Sequence, residues 1–245
     1  MRTGISPQER LIVALDVDTV GAALQIVDEL GSEVRFYKIG LQLFMEGGLT
    51  AVRRISEQGK KVFLDLKVDD TPRTIQEAVR NASVEGVEFF TLQGNGDTVR
   101  AAKAGRGASA TPRFLQITYL SSWDAADLAE HLRADATQGP LSIDEQVVHR
   151  TRRILDWGCD GVIASGSSVQ RLRREFPQLL IVTPGIRPAG SASDDHKRSM
   201  TPSEAILAGA DYLVVGRPIR AARDPRGSAL RIQEDIEQAL RSKAA

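Results

Sequence analysis

Eight short apolar runs, each containing β-branched or aromatic residues, recur along this chain with longer segments of helical period between them. They are LIVALD (11–16), RFYKIG (35–40), KVFLDL (61–66), VEFFTL (87–92), RFLQIT (113–118), GVIAS (161–165), LLIVTPG (179–185) and YLVVG (212–216). Between them lie TVGAALQIVDEL, LTAVRRISEQG, PRTIQEAVRNASVEG and SIDEQVVHRTRRILDWG, whose apolar residues return every three or four positions. Several of these segments stop at glycine, as at Gly59, Gly86 and Gly158, which suits helix ends. Strand followed by helix, eight times over, predicts an α/β protein whose residues 1–245 form a single-domain (β/α)8 TIM barrel. An open doubly wound sheet is the alternative, because a strand count does not establish closure.

Two connections are too long for plain turns. Residues 119–141 predict a short extra helix, and RPAGSASDDHKRSMT (187–201) is polar with no apolar period. The second rises from the C-terminal end of the seventh strand, the side on which barrel active sites sit, so a functional loop is expected.

The chain has 32 Lys+Arg against 32 Asp+Glu and a formal net charge of zero, so charge gives no reason to expect nucleic acid or an anionic membrane as partner. A single cysteine, Cys159, excludes an internal disulfide and any multi-cysteine metal site; its place before GVIAS predicts a buried structural thiol. MRTGISPQERLIVALD has no signal-type apolar core, and no run reaches the roughly 18 apolar residues of a membrane span. A cytoplasmic location is expected.

Charge collects where strands end. Asp16 closes the first run, Lys38 lies near the end of the second, and Asp65 and Lys67 flank the end of the third. Strand alternation predicts that Asp65 and Lys67 point the same way, and sequential strand order brings all four together. A structural ion network is one reading. Buried charge is costly and replaceable by apolar packing, which favours a functional reading for Asp65 and Lys67. Two carboxylates about 4 Å apart repel by roughly 4 kcal/mol at an effective dielectric of about 20, so an interposed lysine would keep them ionised and is a candidate proton donor. Asp70 precedes Thr71 and Pro72, which suits an N-cap or turn residue before a helix.

On the other side, VTPGIR (182–187) and VVGRP (214–218) end strands seven and eight. Loops there commonly hold phosphate in this fold, and Gly216 with Arg217 is the best pair for it; a tight turn with a solvated arginine is the alternative. His131 and His149 fall in helical segments and read as surface or packing residues, whereas His196 sits in the long polar loop. No two histidines have metal-ligand spacing. Aspartates alone suffice for magnesium in some sites, so metal is disfavoured rather than excluded.

The motifs VALD, KIG, D-L-K-x-x-D-x-P-x-T, T-x-L-S, TPGIRP, D-x-x-R-x-M-T-P and VVGR follow in order along nearly the whole chain. In this it resembles the orotidine 5′-phosphate decarboxylases. D-x-K-x-x-D alone marks a wider superfamily of sugar-phosphate decarboxylases and aldolases, and the later motifs narrow it. The resemblance implies conversion of orotidine 5′-phosphate to UMP and carbon dioxide without metal or organic cofactor. It implies Lys67 as proton donor to C6, Asp65 beside the departing carboxylate, Lys38 in the charged chain and Asp16 near the ribose. Asp70 and Thr74 would reach the partner's site in a homodimer, and Thr118 would contact the base. Pro184, Arg187, Gly216 and Arg217 would serve substrate binding and loop closure. His196 stands where a phosphate-contacting glutamine is usual, so it would make phosphate affinity pH-dependent. Thr71 replaces a common isoleucine, Asp69 a histidine or small residue, and Gln93-Gly94 a His-Ala pair. Rival readings are a magnesium-dependent sugar-phosphate enzyme of the same superfamily and a catalytically silent nucleotide-binding barrel.

Overall fold

In the computed structural model, which describes residues 4–120, 122–132, 142–189 and 199–244, each apolar run supplies one strand. These are β1 (Leu11–Ala14), β2 (Phe36–Gly40), β3 (Lys61–Val68), β4 (Val87–Leu92), β5 (Arg113–Ile117), β6 (Gly161–Ile163), β7 (Leu180–Thr183) and β8 (Tyr212–Val215). Neighbours pair parallel in sequence order, and β8 returns to β1 with Leu11 opposite Leu213 and Val13 opposite Val215. Closure decides against the open sheet. Several strands stop before their run does, because the last residues of those runs leave the ladder to form the mouth; β3 instead continues past Leu66 to Val68.

A short helix α1 (Pro7–Arg10), capped reciprocally by Ser6 and Glu9, leads into β1. Helices α2 (Val20–Leu30), α3 (Leu41–Ser56), α4 (Pro72–Ala82) and α5 (Gly96–Arg106) follow the first four strands. After β5 come α6 (Ala125–Leu132), the extra helix expected in that connection, and α7 (Ile143–Asp156). Then α8 (Ser168–Glu175) and α9 (Pro202–Ala208) follow β6 and β7, and α10 (Arg217–Arg220) and α11 (Pro225–Ala244) follow β8. Gly59, Gly86 and Gly158 all have positive φ just beyond helices, as the stop signals predict. Among the described residues no helix is long and apolar enough to cross a membrane.

Strands covered by helices on one side and by the barrel interior on the other are mostly apolar, and β1, β7 and β8 are buried at every position. Two apolar layers result. The larger lies between strands and helices, while the smaller fills the barrel with Phe36, Phe63, Phe89, Tyr212 and aliphatic neighbours. Phe89 packs against Phe36 and Tyr212 with ring centroids 5.1 Å from each, and edge-on to Phe63 at 5.8 Å. Each such side chain contributes about 1.5–3 kcal/mol through burial, so the plug is a firm floor. Phe63 is also part of the cavity lining above it. Cys159 is buried behind the sheet, and that burial, with Asp160 adding to it, pushes its thiol up to about 12, the inert thiol expected.

Candidate active site

The four charged residues meet at the mouth of the barrel. Lys38 Nζ donates to Asp16 Oδ1 at 3.0 Å and lies 3.5 Å from Asp65 Oδ2, while Lys67 Nζ donates to Asp65 Oδ1 at 2.7 Å. Charge alternates along Asp16, Lys38, Asp65 and Lys67 across three adjacent strand ends. Gly40 ends β2 beside them. A Cβ there would stand 3.0 Å from both Asp16 Oδ1 and Lys38 Nζ, so its bare backbone leaves room for the first ion pair.

The route by which Lys67 reaches Asp65 differs from the regular alternation that the sequence predicts. Lys67 has φ 51°, the one non-glycine residue with positive φ among the described residues. Its strand is expanded at that point: Leu64 pairs with Phe90 and Val68 with Leu92, so Asp65, Leu66 and Lys67 together face Thr91. A left-handed residue costs about 1–2 kcal/mol, and three further contacts offset that. The Lys67 N–H donates to Thr91 Oγ1 at 2.8 Å, Thr91 Oγ1 lies 3.2 Å from Asp65 Oδ1, and the Asp65–Lys67 ion pair closes the set. Thr91 is fully buried. Sequence reasoning missed it because a threonine in VEFFTL reads as an ordinary strand former; its signal was being the only hydroxyl in that run.

Burial pushes the Asp65 carboxyl up, but Lys38 and then Lys67, helped by hydrogen bonds from Lys67 and Thr91, hold it below the usual carboxylate range. Burial likewise pushes Lys38 down, and Asp65 and then Asp16 hold it above the ordinary lysine value. Both therefore stay charged near neutrality, in a site with a sheltered, fixed field.

A cavity of about 500 Å³ opens beside these charges. Asp16, Lys38, Asp65 and Lys67 line it together with Pro184, Arg187, Gly216 and Arg217 from the ends of β7 and β8, so eight residues singled out in the sequence share one space. Thr118 does not join them: it is 1% exposed and its hydroxyl donates to the Ile163 carbonyl at 3.0 Å. Two unforeseen polar residues do line the cavity, Ser165 at the end of the sixth run and Arg220, one turn beyond Arg217 on α10. Tyr119 and Leu120 add to its rim.

The long loop after β7 is tied at its base. Ile186 bridges to Met200, the Arg187 N–H donates to the Met200 carbonyl at 2.8 Å, and the Met200 N–H to the Gly185 carbonyl at 3.3 Å. Thr201 and Glu204 then cap α9 reciprocally. His196 lies outside the described residues.

Asp70 and Thr74 are exposed and are not part of their own chain's cavity. Thr71, not Asp70, is the N-cap of α4, with Pro72 in its first turn; Asp70 accepts the Thr71 N–H at 2.6 Å as a turn residue. Asp69 has a separate task, accepting from Thr98 Oγ1 at 3.1 Å and tying the β3–α4 turn to α5. Gly94 makes this possible, because a Cβ there would lie 2.0 Å from Thr98 Oγ1 and 2.2 Å from Asp69 Oδ1. His131 packs on the Trp123 ring and His149 is exposed. Among the described residues no group of three or more His, Cys, Asp or Glu is placed to hold a metal ion.

Comparison with known proteins gives a consistent result. The sequence model of the Orotidine 5′-phosphate decarboxylase / HUMPS family matches residues 9–232. The chain is 46% identical over 231 residues to an orotidine 5′-phosphate decarboxylase of Methylobacterium radiotolerans, covering 94% of this chain and 97% of that one. It is 45% identical over 237 residues to that of Bradyrhizobium diazoefficiens, covering 96% and 97%. Among solved structures, orotidine 5′-phosphate decarboxylase from Lactobacillus acidophilus superposes with a TM-score of 0.78 at 33% identity, covering 92% of this chain and 98% of that one.

Proposed function

The chain belongs to the orotidine 5′-phosphate decarboxylase / HUMPS family, and from that membership we propose that it converts orotidine 5′-phosphate to UMP and carbon dioxide, the last step of de novo pyrimidine synthesis, with Lys67 as proton donor to C6 and without metal or organic cofactor. The observation that carries this reading is the Asp65–Lys67 pair, 2.7 Å apart on the wall of the cavity that Arg187 and Arg217 also line.

In this mechanism the phosphate binds at Arg187, Gly216 and Arg217, so that binding energy remote from the base is expressed at the reacting centre. The bond from C6 to the carboxylate breaks, carbon dioxide leaves, and the electron pair stays on C6. The Lys67 ammonium stabilises that developing charge and gives up its proton to form the C6–H bond. Lys38 and Asp65 keep the field fixed, and the Asp16 carboxylate serves the ribose. Asp70 and Thr74, exposed on their own chain, serve the partner's cavity in a homodimer.

The test is the fall in orotidylate absorbance on adding orotidine 5′-phosphate to the purified protein in EDTA. Turnover is expected. No turnover of this substrate, with metal-dependent turnover of a keto-sugar phosphate, overturns the reading.

A further inference from the structure

We propose that the buried hydroxyl of Thr91 is a positioning group for the reaction, holding the Asp65 carboxylate and the left-handed backbone of Lys67 in one fixed relation. The proposal rests on the functional reading above and adds a residue on a different strand.

The geometry leaves the hydroxyl little choice. Between the pairs Leu64–Phe90 and Val68–Leu92, three residues of β3 face the single residue Thr91 of β4, so regular ladder bonds are lost where the reacting groups stand. A buried N–H without a partner is costly. The Lys67 N–H finds its acceptor in Thr91 Oγ1 at 2.8 Å. Oγ1 has one proton to give and two acceptors within reach, Asp65 Oδ1 at 3.2 Å and the Leu64 carbonyl at 3.4 Å; the carboxylate is nearer and charged, which makes it the stronger partner. One hydroxyl thus accepts from the backbone of Lys67 and donates to the side chain of Asp65, while Lys67 Nζ returns to the same Asp65 oxygen at 2.7 Å.

The resulting ring joins backbone, carboxylate and ammonium. Rotation of Asp65 breaks two of its bonds together, and relaxation of Lys67 from φ 51° breaks the third. Around Asp65 stand Lys38 from β2, with Asp16 on the far side of it, and Lys67 on its own strand; β4 contributes only the neutral Thr91. Because the hydroxyl favours the ionised carboxylate, losing it shifts the acid limb of activity as well as the rate.

The experiment compares Thr91→Val, which keeps the β-branched shape, with Thr91→Ser, which keeps the hydroxyl. Thr91→Val is expected to lower kcat about 10- to 100-fold, the effect of one hydrogen bond to a charged group, with KM changing much less and the acid limb moving to higher pH. Thr91→Ser is expected to restore rate and pH profile to near wild type. Wild-type kcat in Thr91→Val, or equal losses in both variants, overturns the proposal. Thr91→Cys, of similar size but a weak hydrogen-bonding group, is judged by the same criteria if the valine variant does not fold. A carbon-13 NMR titration of the Asp65 carboxyl in ligand-free protein needs no turnover. An upward shift in Thr91→Val that Thr91→Ser reverses supports the positioning role, and no shift overturns it, whichever substrate the enzyme takes. Failure of the wild type to consume orotidine 5′-phosphate while this shift is seen counts against the functional reading alone.

Discussion

The ammonium of Lys38 lies 3.5 Å from Asp65 Oδ2, with the two side chains only 11% and 12% exposed. Charges so placed are expensive to strand. Lys38→Met leaves Asp65 with Lys67 as its one remaining counter-ion; breaking a buried pair outright typically costs about 3–5 kcal/mol, so a smaller loss is expected in urea unfolding at pH 7. The sign with pH follows from the directions of the two shifts. Asp65 is held low, so its contribution is complete above the ordinary carboxylate value and disappears as pH falls through the lower folded value. Lys38 is held high, so its contribution is complete below 10.5 and disappears as pH rises through the higher folded value. In Lys38→Met the folded value of Asp65 moves back toward the ordinary one, so its acid loss should be smaller and finish at higher pH than in wild type; superimposable acid limbs would contradict the pairing.

Lys67→Ala removes the proposed proton donor and the charge that faces the developing carbanion. Nearly all turnover of orotidine 5′-phosphate should vanish while UMP binding by calorimetry persists, because the proposed phosphate residues Arg187, Gly216 and Arg217 lie beyond β7 and β8, away from β3. A variant with full activity would end the Lys67 assignment.

If Asp70 serves the partner's cavity, two inactive proteins should repair each other. In a mixed dimer of Lys67→Ala and Asp70→Ala chains, one cavity carries both defects and the other carries neither. Co-refolded mixtures should recover activity toward one active site per mixed dimer, read by the same absorbance assay. No recovery, with mixed dimers demonstrated by mass spectrometry, would place Asp70 outside the shared site.

How much of this could be read from the chain depends on whether a residue's partner is local. The eight strands were legible from short apolar runs rich in β-branched and aromatic residues, set apart by segments of helical period. Closure was not, because the pairing of Leu11 with Leu213 joins opposite ends of the sequence. Asp16, Lys38, Asp65 and Lys67 stood out because charge interrupts apolar runs at their ends. The left-handed turn at Lys67 left no mark, since lysine, unlike glycine, gives no sign of positive φ. Thr118 was singled out by the family resemblance alone, yet its hydroxyl is engaged by the Ile163 carbonyl. Asp69, in the β3–α4 turn, resisted any account because its partner, Thr98, lies far along the chain on α5. Arg220 went unnoticed because a four-residue helix is too short to show which side faces the cavity.

Arg217 begins α10 after Gly216 at the edge of the cavity. If it binds phosphate, Arg217→Ala should raise KM for orotidine 5′-phosphate by at least about tenfold, the order expected for a charge-assisted contact of about 1.5–3 kcal/mol. Turnover of the phosphate-free nucleoside should hardly change. Equal losses on both substrates would move Arg217 from phosphate binding to general structure.

Gly94, Asp69 and Thr98 behave as one unit, and that gives a stability test independent of any substrate. A Cβ at Gly94 would fall 2.0 Å from Thr98 Oγ1 and 2.2 Å from Asp69 Oδ1, far inside contact distance. Backbone or side chain must shift, and overpacking of this kind costs about 1–3 kcal/mol. The Asp69–Thr98 bond at 3.1 Å is the first thing such a shift breaks. Thr98→Ala should therefore cost less in the Gly94→Ala background than in wild type, because the bond it removes is already lost and the clash it relieves is new. A double-mutant cycle on urea unfolding measures that difference. Strict additivity would mean that the three residues are neighbours without coupling. A double variant that costs less than the sum of the singles would mean that the glycine is required by the aspartate beside it, and that the turn bearing Asp70 is fastened to α5 by this bond.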